Sequence, residues 1–293
     1  MKKVNVVITT VGIDWTKKCL PDLIENTDYE HNLHLVDDSS TGESQAYIDD
    51  FMLSCSVRSD KVRNIIATYN KDRRKVSGCW NIGINNALEE DADYIVILNN
   101  DIQFPPRDEN GDCWLTKLVR WADEHPDHAW ISPFWLWTGN DSGSIERFKE
   151  GSVQYMKDNK GVVEEGGLGC FFMMRSRAIK HLAAIEVDTE NFPGKFDIVN
   201  YPTQWEEVDY ILRLMRVGYK IAVIHDVALF HWGSAYIGKA EWKPTADKEY
   251  TDGLCNFKEK WCGKLNVPKQ CGKINVWNGR PHYKVDGAWI PFI

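Results

Sequence analysis

Over its first 132 residues the chain alternates short apolar runs with segments of helical spacing, and this order constrains the fold most. The runs are Val4–Thr10, Leu33–Val36, Arg63–Ala67, Tyr94–Leu98 and Ala129–Ser132. Between them lie helical patterns at Lys17–Asn26, Ser44–Ser54, Ser77–Glu90 and Trp114–His125. A βαβα order of this kind predicts an α/β fold: a Rossmann-like, mainly parallel central sheet with helices on both faces. Tyr94-Ile95-Val96-Ile97-Leu98 is apolar without interruption, the pattern of a strand buried on both sides.

Beyond Pro133 the alternation stops. Gly139-Asn140-Asp141-Ser142-Gly143 is a turn cluster, and the polar stretch that follows to Lys160 predicts irregular, mobile chain. Cys170–Met174 then reads as a strand and Ser176–Leu182 as a short helix. Trp205–Val217 has helical spacing, with Val208, Ile211, Leu212 and Met215 on one face and Gly218 as its C-cap. Tyr219–Ile224 is the last clear strand. The tail, residues 264–293, is rich in Gly, Pro, Lys and aromatics and predicts a strand-and-loop appendage to a domain spanning 1–263.

Composition narrows the function classes. A chain of 293 residues with 43% apolar content supports one large domain with appendages. A net charge of -8 disfavours general attraction to nucleic acid or anionic lipid. No run of about 18 apolar residues is present to span a membrane. The opening MKKVNVVITTVG is short and leads straight into Asp14 and Trp15, so it reads as a first strand rather than a signal peptide. Eight cysteines without a CxxC pair predict reduced thiols and a cytoplasmic protein.

Four clusters carry candidate chemistry. Asn99-Asn100-Asp101 follows the Tyr94–Leu98 strand at the carboxyl edge, where open α/β sheets bind ligands. Hard cations that hold phosphates take one or two carboxylates and fill the rest with phosphate and water, which makes Asp101 a metal anchor; the same tripeptide also suits a plain turn. Asp37 and Asp38, after the second strand, can accept from a base or ribose, while the serines after them cap a helix. Asn81 lies in a helix whose start is rich in small residues and amides, preceded by Arg73, Arg74 and Lys75 within reach of phosphate or solvent. Glu206, Glu207 and Asp209 open the later helix. They either complement its dipole, with Asp209 pairing Arg213, or supply a general base. His231, at a strand end before Trp232-Gly233-Ser234, is a metal or diphosphate ligand or a structural histidine.

Taken together, the chain resembles the family 2 glycosyltransferases, inverting enzymes of the GT-A fold, from about Lys3 to Gly263. The matching motifs are Val36-Asp37-Asp38-Ser39-Ser40-Thr41, Asn81-Ile82-Gly83-Ile84, Leu98-Asn99-Asn100-Asp101 and Gly169–Arg175. Glu206-Glu207-Val208-Asp209-Tyr210 with Arg213, His231-Trp232-Gly233-Ser234 and Asn256–Trp261 complete the set. The resemblance implies a nucleotide-sugar-binding half at 1–132 and an acceptor and catalytic half at 133–263. It further implies an NDP-sugar donor, most simply a UDP-sugar, contacted by Thr9, Val11, Asp37, Asp38, Asn81, Asn99 and Asn100. A divalent cation, Mn²⁺ or Mg²⁺, would sit on Asp101 and His231. Family members commonly use the Asp of a Glu-Asp pair as base; here Glu207 stands at that position, beside Glu206, with Asp209 at a second common acidic position.

Two rivals accompany this reading: a nucleotidyltransferase acting on a sugar phosphate, and a nucleotide-sugar-binding module without turnover. The first-strand loop Thr9-Thr10-Val11-Gly12-Ile13-Asp14 lacks the Gly-rich, basic character that nucleotidyl transfer favours. The acceptor stays open among a glycan, a protein, a small molecule and a modified DNA base. Trp130, Trp135 and Trp137, and the tail residues Trp277, Arg280, His282, Tyr283 and Trp289, are candidates for the acceptor side, since aromatic faces suit sugars and bases.

Overall fold

The computed structural model describes residues 1–39, 41–58, 60–136, 143–188, 190–232, 243–262, 274–277, 280–285 and 288–291. The first half runs β1 (Val4–Thr10), α1 (Ile13–Asn26), β2 (His31–Asp37), α2 (Gly42–Arg58), β3 (Val62–Tyr69), α3 (Lys75–Glu89) and β4 (Tyr94–Asn99). It continues through β5 (Ile102–Gln103), α4 (Trp114–Glu124) and β6 (His128–Leu136). The second half contains α5 (Gly143–Asp158), β7 (Val163–Glu164), β8 (Phe171–Arg175), α6 (Ser176–Glu186), α7 (Glu206–Arg216), β9 (Lys220–His231) and α8 (Lys243–Trp261). The strands β10 (Ile274–Trp277), β11 (Arg280–Val285) and β12 (Ala288–Pro291) form a separate antiparallel sheet in the tail.

The main sheet has the order β3-β2-β1-β4-β8-β6-β9-β5, with β7 added against β9. β3, β2, β1 and β4 are mutually parallel. β8 runs antiparallel between β4 and β6, and β6 pairs parallel with β9. The chain winds outward from β1 through β2 to β3, then returns to place β4 on β1's other side. That reversal opens a crevice at the carboxyl ends of β1 and β4, where Thr9 pairs with Asn99.

Packing fixes the layers. Val4, Val6, Ile8, Leu33, Val96 and Leu98 face one side with α1, α2 and α4; Val7, Ile95, Ile97 and Phe172 face the other with α3, α6 and α7. This is the period-2 alternation of a sheet covered on both faces. Gly83 brings α3 against β1: a Cβ there would lie 2.1 Å from Val7 Cγ1. Trp130, a candidate for the acceptor side, is instead core: it is fully buried and stacks on Phe172 at 3.8 Å. Truncating such a side chain costs about 3–5 kcal/mol.

Two expectations are corrected. The stretch before Lys160 is not irregular: it forms α5, whose Phe148, Ser152 and Met156, four apart, are buried on one side. Phe148 packs against Phe230 at 5.5 Å. The expected turn residues 139–142 lie outside the described residues. The last strand does not end at Ile224 but continues to His231. A register shift against β6 between Pro133 and Phe134 absorbs residues 225–227. The extension pairs with β5, placing His231 opposite Ile102.

Candidate active site

At the crevice lies a cavity of about 410 Å³, within the range of small-ligand sites. β1 contributes Thr9 and, just beyond it, Val11; the turn after β4 contributes Asn99, Asn100 and Asp101. His231 ends β9, Gly169 and Cys170 precede β8, and Glu206 and Glu207 open α7. Arg73, Lys75 and Asp38 line the α3 side, and Thr245, Ala246 and Glu249 reach in from α8.

Asp101 and His231 meet because β5 pairs with β9: Trp232 N–H donates to the Asp101 carbonyl at 3.0 Å, and His231 Nε2 lies 3.3 Å from Asp101 Oδ2. Trp135 stacks on the imidazole at 4.7 Å. Burial opposes charge on His231, but the Cys170 sulfur and the Asp101 carboxylate outweigh it and raise its pKa to about 10. Asp101 Oδ1 and His231 Nδ1 are both buried without a hydrogen-bond partner among the described residues. Groups of this kind cost free energy unless a ligand satisfies them. The described residues include no cluster of three or more His, Cys, Asp or Glu placed to hold a metal. Once a cation displaces the proton from His231, the carboxylate and the neutral imidazole fit an ion that completes its shell with diphosphate oxygens and water, not an all-protein cage.

Glu206 and Glu207 are positioned by a strained backbone. Trp205, before them, adopts φ 72° and ψ 0°, a left-handed conformation that costs a non-glycine residue about 1–3 kcal/mol. Its ring is held by α8: Nε1 donates to the Tyr250 carbonyl at 3.1 Å, and Phe257 packs at 5.2 Å. Gly169 leaves room for Glu207, since a Cβ at residue 169 would lie 2.9 Å from Glu207 Cδ. Burial pushes both carboxyl pKa values up; that of Glu206 rises further because Glu207 is beside it.

Other sequence-singled residues lie elsewhere or are engaged in structure. Asp209 is turned away from the cavity: Trp261 Nε1 and Lys260 Nζ hold Oδ1 at 2.8 and 2.9 Å, and Arg213 lies 3.5 Å from Oδ2. Its oxygens are committed to these partners, and it is not among the residues that line the cavity. Asp37 is fully buried and accepts from Thr10, Ser39 and Ser44 hydroxyls, so it braces the β2–α2 turn. Thr41 Oγ1 accepts from Ser44 N–H at 3.3 Å at the start of α2, while the Ser39 hydroxyl is turned to Asp37; Ser40 lies outside the described residues. Asn81 clasps the backbone of Phe196 through both amide atoms and does not touch ligand space. Asn100 lines the cavity, yet its Nδ2 donates to the Val11 carbonyl at 3.0 Å and Thr16 Oγ1 at 2.9 Å, fixing the β1–α1 turn.

Asp38 remains at the cavity wall, where it accepts from Arg74 N–H and Lys75 N–H and shapes the entry to α3. Trp137, Gly233 and Ser234 lie outside the described residues, as do the side chains of Trp277, Arg280, Tyr283 and Trp289. Sequence reasoning missed Trp15, Cys170 and Glu249 as lining residues. Glu249 had no local signal: it sits on a polar helix, lines the cavity beside Thr245 and Ala246, and pairs there with Lys75.

A family model, "Glycosyl transferase family 2", matches residues 6–183. Among curated proteins, none matches the sequence. Among solved structures, the mannosyltransferase PcManGT from Pyrobaculum calidifontis, in complex with GDP-Man and Mn²⁺, aligns with TM-score 0.56 at 16% identity over 88% of this chain. This chain spans 64% of that protein's length. S. aureus TarS 1-349 aligns with TM-score 0.54 at 12% identity over 99% of both chains, and its UDP complex with TM-score 0.51 at 12% identity over 100% and 99%. At these identities the likeness establishes a shared GT-A fold. With the family model covering more than half its length, the chain belongs to glycosyl transferase family 2.

Proposed function

We propose that the protein transfers a sugar from a nucleotide-diphosphate donor to an acceptor hydroxyl with inversion at the anomeric carbon. The observation that carries this reading is the convergence of Asp101 with His231, and of Glu206 with Glu207, on one cavity, where Asp101 Oδ1, His231 Nδ1 and Glu206 Oε2 have no hydrogen-bond partner among the described residues. Asp101 and His231 would hold a divalent cation, which would stabilise negative charge on the leaving diphosphate. Thr9, Val11 and Asp38 line the wall available to the nucleoside. Glu207 takes the proton from the acceptor oxygen as that oxygen attacks; the bond to diphosphate breaks and its electrons leave with the diphosphate. Burial raises its pKa, which strengthens it as a base.

Incubation with UDP- and GDP-sugars plus Mn²⁺ or Mg²⁺ tests the reading. The expected product is NDP; pyrophosphate release would indicate nucleotidyl transfer, and tight nucleotide binding without product would indicate a binding module. The manganese-bound neighbour and the UDP complex support including both cation and both nucleotides in the screen.

A further inference from the structure

Glu206 and Glu207 are adjacent in sequence and share a cavity, yet their surroundings differ. Glu207 is supported by two helix-start donors, its own N–H and that of Val208, while Glu206 receives only its own. Glu206 is 6% exposed, and its Oε2 has no partner among the described residues. The groups facing it offer no compensation. Lys75, from α3, is paired with Glu249 of α8, and Arg73 is drawn to Asp38. Asp101 and His231 are paired with each other. Two adjacent enclosed carboxylates, neither ion-paired to a cationic side chain among the described residues, cannot both carry charge at low cost.

We propose that Glu206 works as a neutral carboxylic acid, donating a hydrogen bond from its Oε2–H to an oxygen of the bound saccharide, while Glu207 carries the charge. The proton stays on Glu206 throughout; the acceptor's proton goes to Glu207. Paired acids whose environments separate their protonation states commonly divide roles in this way. The ligand in this assignment rests on the glycosyl-transfer reading, but the protonation of Glu206 does not.

The sign of the linked stability effect follows. Burial and the Glu207 charge raise the folded-state pKa of Glu206, so the folded protein holds a proton that the unfolded chain releases. That contribution is complete below the ordinary carboxylate range and is lost as pH rises through the raised value.

Difference infrared spectroscopy at pH 7 tests the proton directly, with no need for substrate. Wild-type protein minus Glu206→Gln is expected to show a protonated carboxylic C=O band, and wild type minus Glu207→Gln is expected to show none. A Glu206→Gln difference without that band overturns the proposal, whatever the enzyme's activity. In an NDP-release assay, Glu206→Gln, whose amide still donates, is expected to lower kcat less than Glu206→Leu does and to lose the basic limb of the pH profile. Glu206→Leu, lacking any donor, is expected to lose about tenfold. A Glu206→Gln variant as inactive as Glu207→Gln would also overturn the assignment. Wild-type protein that shows the band but no turnover of any nucleotide sugar would sink the functional reading alone.

Discussion

Helix α7 carries acids of two kinds within four residues. Glu206 and Glu207 face the cavity with few partners and raised pKa values, whereas Asp209 is enclosed by Trp261, Lys260 and Arg213. The same contrast separates Asp101, with a bare buried oxygen, from Asp37, saturated by three hydroxyls. Burial therefore does not distinguish a working acid from a structural one here, since all are largely enclosed. What distinguishes them is whether the fold has left an oxygen for a ligand.

Substitutions sharpen this contrast. The largest effect is expected for Glu207→Gln, which should lower transfer by about 10²–10⁴-fold while nucleotide binding by calorimetry is retained. Asp101→Ala should lower donor turnover by about 10²–10³-fold, an effect larger than its cost in stability, where only the pair with His231 is lost. Asp209→Ala should do the reverse. Removing one partner from its buried ion pairs should cost about 3–5 kcal/mol in denaturant unfolding, while the folded fraction keeps its kcat. If Asp209→Ala abolished transfer without loss of stability, the two kinds of acid would have been wrongly separated.

Smaller effects follow from the scaffold around the acids. Gly169→Ala inserts a methyl into the space of the Glu207 side chain and should reduce kcat by about tenfold or more with donor KM little changed. The smallest effect is expected for Lys75→Ala. Its side chain is 44% exposed where it meets Glu249, so the pair should contribute less than about 1 kcal/mol to thermal stability.

The sequence announced the sheet clearly because strands buried on both faces have a continuous apolar signal, as Tyr94–Leu98 shows. Helix α5 escaped notice because its buried face, Phe148, Ser152 and Met156, is narrow and interrupted by a serine among polar residues. The site was legible as positions rather than orientations. Strand ends located Asp101 and His231, and the pairing of Asp209 with Arg213 follows from helical spacing alone. That Asp209 also binds Lys260 and Trp261 depends on α8 docking about fifty residues later in the chain, which no local pattern reports. Asp37 and Asp38 differ by one position in a strand's exit, and only the turn geometry decides which reaches the cavity.

The account turns on where the cation and diphosphate lie. Crystals grown with UDP or GDP and Mn²⁺, measured for anomalous scattering at the manganese edge, give the most direct test. The expected result is one manganese peak bound by Asp101 and His231 and bridging to the diphosphate, with Glu207 facing the sugar side. A well-ordered nucleotide with manganese bound away from Asp101 would contradict the account.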